Sequence, residues 1–216
     1  MNAKIEAALN AQIEKEASSS QFYLAMASWA EANGLNGTAK FMYTHSDEER
    51  FHMLKLVKFV NERGGKALIP AISQPPKEFK DLENVFSLLL EHEISVTDSI
   101  NNLVGLCLDE RDYTTHNFIQ WYVAEQLEEE ALARTVLDKI KLIGNDKGGM
   151  YMFDKDLERL QPLVREGWVS VEAGRVTIRK HRHELARIVR EDRGSFFWLG
   201  VAVALAAHIP SFGFFT

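Results

Sequence analysis

The sequence predicts an all-α fold: a four-helix bundle with one long crossover, a short fifth helix and a C-terminal extension. Three observations carry this expectation. Apolar residues recur at steps of three and four over four long stretches, glycine-containing stop signals close three of them, and the middle connection is much longer than the outer two. The first helix is expected from about Ala3 to Ala32, stopped by Asn33-Gly34, and the second from about Asn36 to Arg63, stopped by Gly64-Gly65. The connection KALIPAISQPPKEFK follows, and its prolines Pro70, Pro75 and Pro76 exclude regular helix. At about 3.3 Å per residue, an extended segment from Gly64 to Lys80 can cross the length of a bundle. The third helix is expected over about Asp81 to Glu110, the fourth over about Tyr113 to Ile143, ended by Gly144, and a shorter fifth over about Tyr151 to Arg165. The domain reading is therefore 1–165 for the bundle and 166–216 for the extension.

Composition narrows the function. The chain has 216 residues, 46% of them hydrophobic, enough for a sizeable core, and a net charge of −6. That balance argues against nucleic acid as a partner and favours cations. Cys107 is the only cysteine, so neither a disulfide framework nor a thiolate metal site can be built. The first ten residues, MNAKIEAALN, contain no apolar signal core, and a cytoplasmic location is expected.

Acids interrupt all four apolar stripes. The first reads Leu9, Ile13, Glu16, Ser20, Tyr23, Ala27, and the second Phe41, His45, Glu49, His52, Leu56, Phe59, with Glu49 and His52 at i, i+3 spacing. The third reads Phe86, Leu89, Glu93, Val96, Ile100, and the fourth Phe118, Tyr122, Glu129, Leu132, Val136, with Gln126 one turn before Glu129. One glutamate at a stripe edge ordinarily reaches back to water. Four in one bundle would repel one another unless protonated or bridged by cations. Oxygen-rich ligands with a single imidazole suit iron or manganese better than zinc. His45, His92 and His116 are expected to be ordinary packing or surface histidines.

The segments EKEASSSQFYLAMASWAE, DEERFHMLK, LLEHEIS, NFIQWYVAEQLEEE and GMYMFDKDL resemble the prokaryotic non-haem ferritins, in order and in spacing, over about residues 1–161. The resemblance implies a ferritin-like bundle that oxidises Fe²⁺ with O₂ or H₂O₂ and stores it as ferric mineral inside a homo-oligomeric cage, a 24-mer. It implies one iron held by Glu16, Glu49 and His52, and a second held by the bridging Glu49 with Glu93 and Glu129. A third iron site is implied from Glu48, Glu125, Glu128 and Glu129, with Gln126 and the redox-active Tyr23 beside the pair. Bacterioferritins are similar but repeat Glu-x-x-His on the fourth helix and carry a haem-binding methionine after the second-helix glutamate. Here Gln126-x-x-Glu129 and Arg50 stand at those places, so no haem is expected. A di-iron oxidase or peroxidase that stores nothing, and a membrane-associated adaptor, are alternative readings.

The extension is unlike that family. WVSVEAGRVTIR alternates and turns at Ala-Gly, predicting a β-hairpin. A basic helical pattern, KHRHELARIVREDR, and the apolar run FFWLGVAVALAA follow. The run is shorter than the roughly 20 residues that span a bilayer, so it is expected to lie at a membrane interface or be buried. Leu157 to Arg190 also has a loose resemblance to the winged-helix-like end of anaerobic coproporphyrinogen oxidases.

Overall fold

The computed structural model describes residues 1–160 and two strand segments, 169–172 and 175–178. The chain divides into two compact units, Met1–Gln161 and Pro162–Thr216. The first consists of α1 (Ala3–Ala32), α2 (Asn36–Glu62), α3 (Leu82–Asp109), α4 (Tyr113–Ile143) and α5 (Lys147–Leu160). In the second, β1 (Val169–Glu172) and β2 (Arg175–Ile178) pair antiparallel, with Val171 opposite Val176, as the alternation predicts. The basic pattern, the apolar run and about two thirds of the winged-helix resemblance lie outside the described residues. Among those described, no helix is long and apolar enough to cross a membrane.

The helix ends follow from local chemistry. Asn2 caps α1 by accepting from the Lys4 amide, and Asp81 and Asp112 cap α3 and α4 by accepting from Asn84 and Thr115. Gly34, Gly64 and Gly144 take positive φ at the ends of α1, α2 and α4, where a side chain would be strained. The fifth helix begins earlier than its apolar pattern suggests. Asp146 accepts from the Gly148 amide and its carbonyl from Met150, so the Gly-Gly pair enters the first turn of α5 instead of ending a loop.

Short connections pair α1 with α2 and α3 with α4, and the crossover, residues 63–81, joins the two pairs. The core is split. One apolar cluster gathers Tyr23, Met26, Met42, Phe86, Leu89, Val136 and Phe153. The other gathers Ile5, Leu9, Ile13, Leu56, Val96, Ile100, Ile119 and Tyr122. Between Ile13 and Tyr23, between Met42 and Leu56, between Leu89 and Val96, and between Tyr122 and Val136, each long helix passes through a polar layer. Buried Glu16, Glu49, His52, Glu93 and Gln126 belong to it.

α5 is fastened to α2 by a buried carboxylate. The residue preceding α2, Leu35, offers no side-chain cap. Asp154 of α5 supplies one, accepting from the amides of Gly37 (3.0 Å) and Thr38 (2.8 Å) and from the Thr38 hydroxyl (2.9 Å). A Cβ on Gly37 would fall 1.7 Å from the Asp154 carbonyl oxygen, so only glycine permits this approach. Asp154→Ala is expected to destabilise the bundle by about 1–3 kcal/mol, and Gly37→Ala to displace α5 altogether. Amide hydrogen exchange should show loss of protection confined to α5 and the first turn of α2; unchanged protection in Gly37→Ala would refute the latch.

Candidate metal centre

The polar layer contains two groups of potential ligands. In the first, Glu16, Glu49 and His52, all buried, have ligand atoms within 4.8 Å of one another. His52 Nδ1 lies 3.8 Å from Glu16 Oε2 and 3.6 Å from Glu49 Oε2. The Glu16 and Glu49 Oε2 atoms are buried without a hydrogen-bond partner. Orphaned carboxylate oxygens facing an imidazole are costly unless something cationic lies between them, and a divalent ion fits that place and donor set. The i, i+3 spacing of Glu49 and His52 puts both on one face of α2, and Glu16 of α1 completes the triangle.

Glu93 of α3, fully buried, is held at both oxygens: the Tyr23 hydroxyl donates to Oε1, and the Gln126 amide donates to Oε2 at 3.0 Å. Gln126 and Tyr23 thus lie beside the centre, each bound to a proposed ligand. Tyr122, below them, donates to the His52 carbonyl at 2.8 Å and anchors that turn of α2.

The second group is His45, Glu48 and Glu129, again with ligand atoms within 4.8 Å. His45 Nε2 lies 3.5 Å from Glu129 Oε2. The ring's other nitrogen, Nδ1, is 2.9 Å from the Phe41 carbonyl and must donate to it, so Nε2 faces the carboxylates. This corrects the expectation that His45 is an ordinary packing histidine. The stripe pattern had placed it on the inner face, and its position one turn before Glu48 and Glu49 was the available signal. Glu125 lies partly buried and Glu128 exposed, and neither joins a ligand group. His92 is bonded to Ser19 at 2.7 Å, and burial with the nearby Lys15 lowers it to about 4.

The charges are mutually perturbed. Burial, then the Glu16 charge, push the Glu49 carboxyl well above its ordinary range. Burial and Glu129 raise Glu93 to about 7, against the lowering effect of the Tyr23 and Gln126 hydrogen bonds. Burial raises Glu125 to about 7. Burial opposes charge on His45, but its hydrogen bond with Glu129 and the charges of Glu129 and Glu48 outweigh that and raise it to about 9. Burial also acts against Glu16 and Glu129, yet the facing rings of His52 and His45 respectively leave both lowered.

These shifts fix the sign of a pH dependence. Between the ordinary 4.5 and about 7, folded Glu93 holds a proton that the unfolded chain has lost, so stability falls as pH rises through that window. The His45 contribution is complete below 6.5 and is lost as pH rises through about 9, with the same sign. The lowered Glu16 and Glu129 act only below 4.5. His92, lowered to about 4, acts with the opposite sign between about 4 and 6.5, but Glu93 and Glu125, each raised to about 7, outweigh it, so metal-free protein in chelator should melt higher near pH 5 than toward pH 9. Zn²⁺ should raise Tm more at pH 8 than at pH 6, because fewer protons compete for the ligands. A calorimetric Tm that rises from pH 5 to 8 without metal would contradict these assignments.

The chain is similar to known proteins along most of its length. The family model described as a ferritin-like domain matches residues 6–143. A probable bacterial non-heme ferritin-like protein of Haemophilus influenzae is 46% identical over 152 residues, covering 70% of this chain and 92% of the relative. A bacterial non-heme ferritin of Campylobacter jejuni is 44% identical, covering 70% of this chain and 91% of its own. The open pore ferritin of the archaeon Archaeoglobus fulgidus superposes with a TM-score of 0.72 at 42% identity, covering 73% of this chain and 97% of that structure. The chain belongs to the ferritin-like domain family.

Proposed function

We propose that the bundle oxidises Fe²⁺ at the Glu16, Glu49 and His52 centre and stores the ferric product within a cage of identical subunits. The observation that carries this is the pair of orphaned, buried carboxylate oxygens converging on one imidazole. Relatives named non-heme ferritins support it, and a solved ferritin described as open pore supports the cage. In this reading Glu49, between Glu16 and the Glu93 and Glu129 charges that also raise it, bridges two irons. Glu93 and Glu129 complete the second site.

Iron is the substrate, and the chain's own groups prepare its oxidation. Hard anionic carboxylates favour Fe³⁺ over Fe²⁺, so two Fe²⁺ ions held by them give up two electrons to O₂, which takes up two protons to leave as H₂O₂; with H₂O₂ as oxidant the products are two waters. Glu49 and Glu93 release the protons they hold as iron enters. Tyr23, raised well above its ordinary range by burial and by Glu93, keeps its proton and goes on donating to Glu93. Gln126 orients the other oxygen of the same carboxylate.

The third iron site of this reading centres on Glu48 and Glu129, with His45 Nε2 as a nitrogen donor beside them. Glu125 stands at its edge, and Glu128 would have to turn inward to join. A cytoplasmic setting fits a chain whose one cysteine, Cys107, is buried in the core. We divide the chain at about residue 165. Residues 166–216 add a separate property, contact with an anionic membrane surface, to which the arginines from Arg175 to Arg193 and the aromatic group Phe196, Phe197 and Trp198 are suited.

His52→Ala and Glu49→Ala should each reduce the initial rate of Fe²⁺ oxidation by at least about 100-fold, since even outer partners of metal ligands are worth 10–100-fold. Stopped-flow rates at the wild-type level in either variant would sink the centre. Glu48→Ala should keep the first fast phase while changing the number of irons oxidised per O₂; loss of the first phase would merge the two sites. Removing residues 166–216 should leave oxidation and assembly intact and abolish co-sedimentation with anionic liposomes. A full-length protein that ignores those liposomes would eliminate the membrane role.

A further inference from the structure

We propose that Ser99 and Gln12 form a positioning relay that occupies one oxygen of Glu16, so that this glutamate offers a metal ion only Oε2. The inference rests on the reading of Glu16 as an iron ligand and deepens it. Gln12 lies one turn before Glu16 on α1, and both are 1% exposed. Its amide nitrogen donates to Glu16 Oε1 at 2.8 Å, and the Ser99 hydroxyl of α3 donates to its amide oxygen at 2.6 Å.

The direction of the chain is set by chemistry. An amide oxygen only accepts, so a serine hydroxyl facing it must be the donor, and the amide NH₂ then points at the carboxylate. With the amide reversed, its oxygen would face a carboxylate oxygen in a site closed to water, leaving two acceptors with no proton between them. The Glu16 carboxylate, which only accepts, therefore fixes the orientation of the Gln12 amide, Ser99 holds that amide in place by donating to its oxygen, and Gln12 decides which oxygen of Glu16 is free. That oxygen, Oε2, is buried, lacks a hydrogen-bond partner and lies 3.8 Å from His52 Nδ1 within the group that includes Glu49.

A carboxylate tied at one oxygen binds a metal through the other. Without the tie, Glu16 is free to swing toward a two-oxygen chelate, or to turn Oε2 away from the position that Glu49 and His52 share. A buried glutamine beside a ligand carboxylate is costly unless its amide is fully used, and here both of its ends are. Gln12 and Ser99 touch no proposed ligand other than Glu16 in these bonds, so their effect should fall on the His52 half of the centre.

The test uses the full-length protein and Zn²⁺ as a redox-inert probe, titrated calorimetrically. Ser99→Ala and Gln12→Leu should each weaken one Zn²⁺ site about 10-fold. Ser99→Thr should restore wild-type affinity, and Ser99→Ala should add nothing in the Gln12→Leu background. A crystal structure with Zn²⁺ should show Glu16 bound through Oε2 alone, with Oε1 still on Gln12. A two-oxygen Glu16 in the wild type, or unchanged Zn²⁺ affinity in Ser99→Ala and Gln12→Leu, overturns the relay. Lower Tm with unchanged affinity in those variants reduces both residues to packing and overturns it equally. Glu16→Ala separates the two levels: if it too binds Zn²⁺ like wild type, the metal centre itself is wrong, whereas loss of a site in Glu16→Ala alone rejects only the relay.

Discussion

The structure is governed by the electrostatics of one buried layer. Glu16, Glu49 and Glu93 lie almost wholly out of solvent midway along the bundle, with Glu129 beside them, and among the described residues two imidazoles are the cationic groups paired with these carboxylates. Removing several like charges from water costs several kcal/mol each unless each is neutralised. The chain does this unevenly: His52 and His45 favour the ionised forms of Glu16 and Glu129, while burial holds Glu49 well above its ordinary range and Glu93 at about 7. A divalent ion displaces those protons and supplies the missing positive charge. Stability and metal binding are thereby linked, since the layer that weakens the metal-free fold at neutral pH is the one that iron satisfies.

Such a layer persists because the helices are held on either side of it. Two apolar clusters close the bundle above and below. Beyond them the ends are fastened by short-range polar contacts: Arg63 forms two hydrogen bonds with Asp112, which also caps α4, and Asp154 caps α2 while binding α5. None of these groups lies in the polar layer. Rigid ends permit a costly middle, and ligands mounted on four packed helices are placed more firmly than ligands on loops.

Much of this was legible in the sequence, for a physical reason. A glutamate on an apolar stripe violates the helical pattern, and Glu16, Glu49, Glu93 and Glu129 each did so in register with the others. Helix ends were legible where glycine or a capping aspartate marks them, as at Gly34, Gly64 and Asp81. The start of α5 was not, because Gly148 and Gly149 look like a loop until Asp146 is seen to cap them. His45 was on the right face and one turn before Glu48 and Glu49, but its role stayed open, since the meaning of a histidine depends on what each ring nitrogen meets. Gln12 was invisible for the same reason. Its position one turn before Glu16 is in the sequence, but the serine that holds its amide oxygen is 87 residues away. The acid run Glu128 to Glu130 shows the converse, for its acids are conspicuous in the sequence, yet Glu128 stands exposed and Glu130 pairs with Thr97 and Arg134.

Hydrogen bonding also makes the two halves of the centre unequal. Glu49 has an oxygen with no partner, Glu16 has one oxygen tied and one free, and Glu93 has both tied, to Tyr23 and Gln126. An ion entering beside His52 meets two free oxygens and a ring nitrogen already converged, and it displaces the ring's proton without breaking a hydrogen bond between protein groups. An ion entering beside Glu93 must share its carboxylate with two donors or displace one of them, and must draw Glu129 away from His45. The first position is preorganised and the second reorganises. On the proposed reading such a centre fills in order, with the Tyr23 hydroxyl in contact with the Glu93 carboxylate throughout.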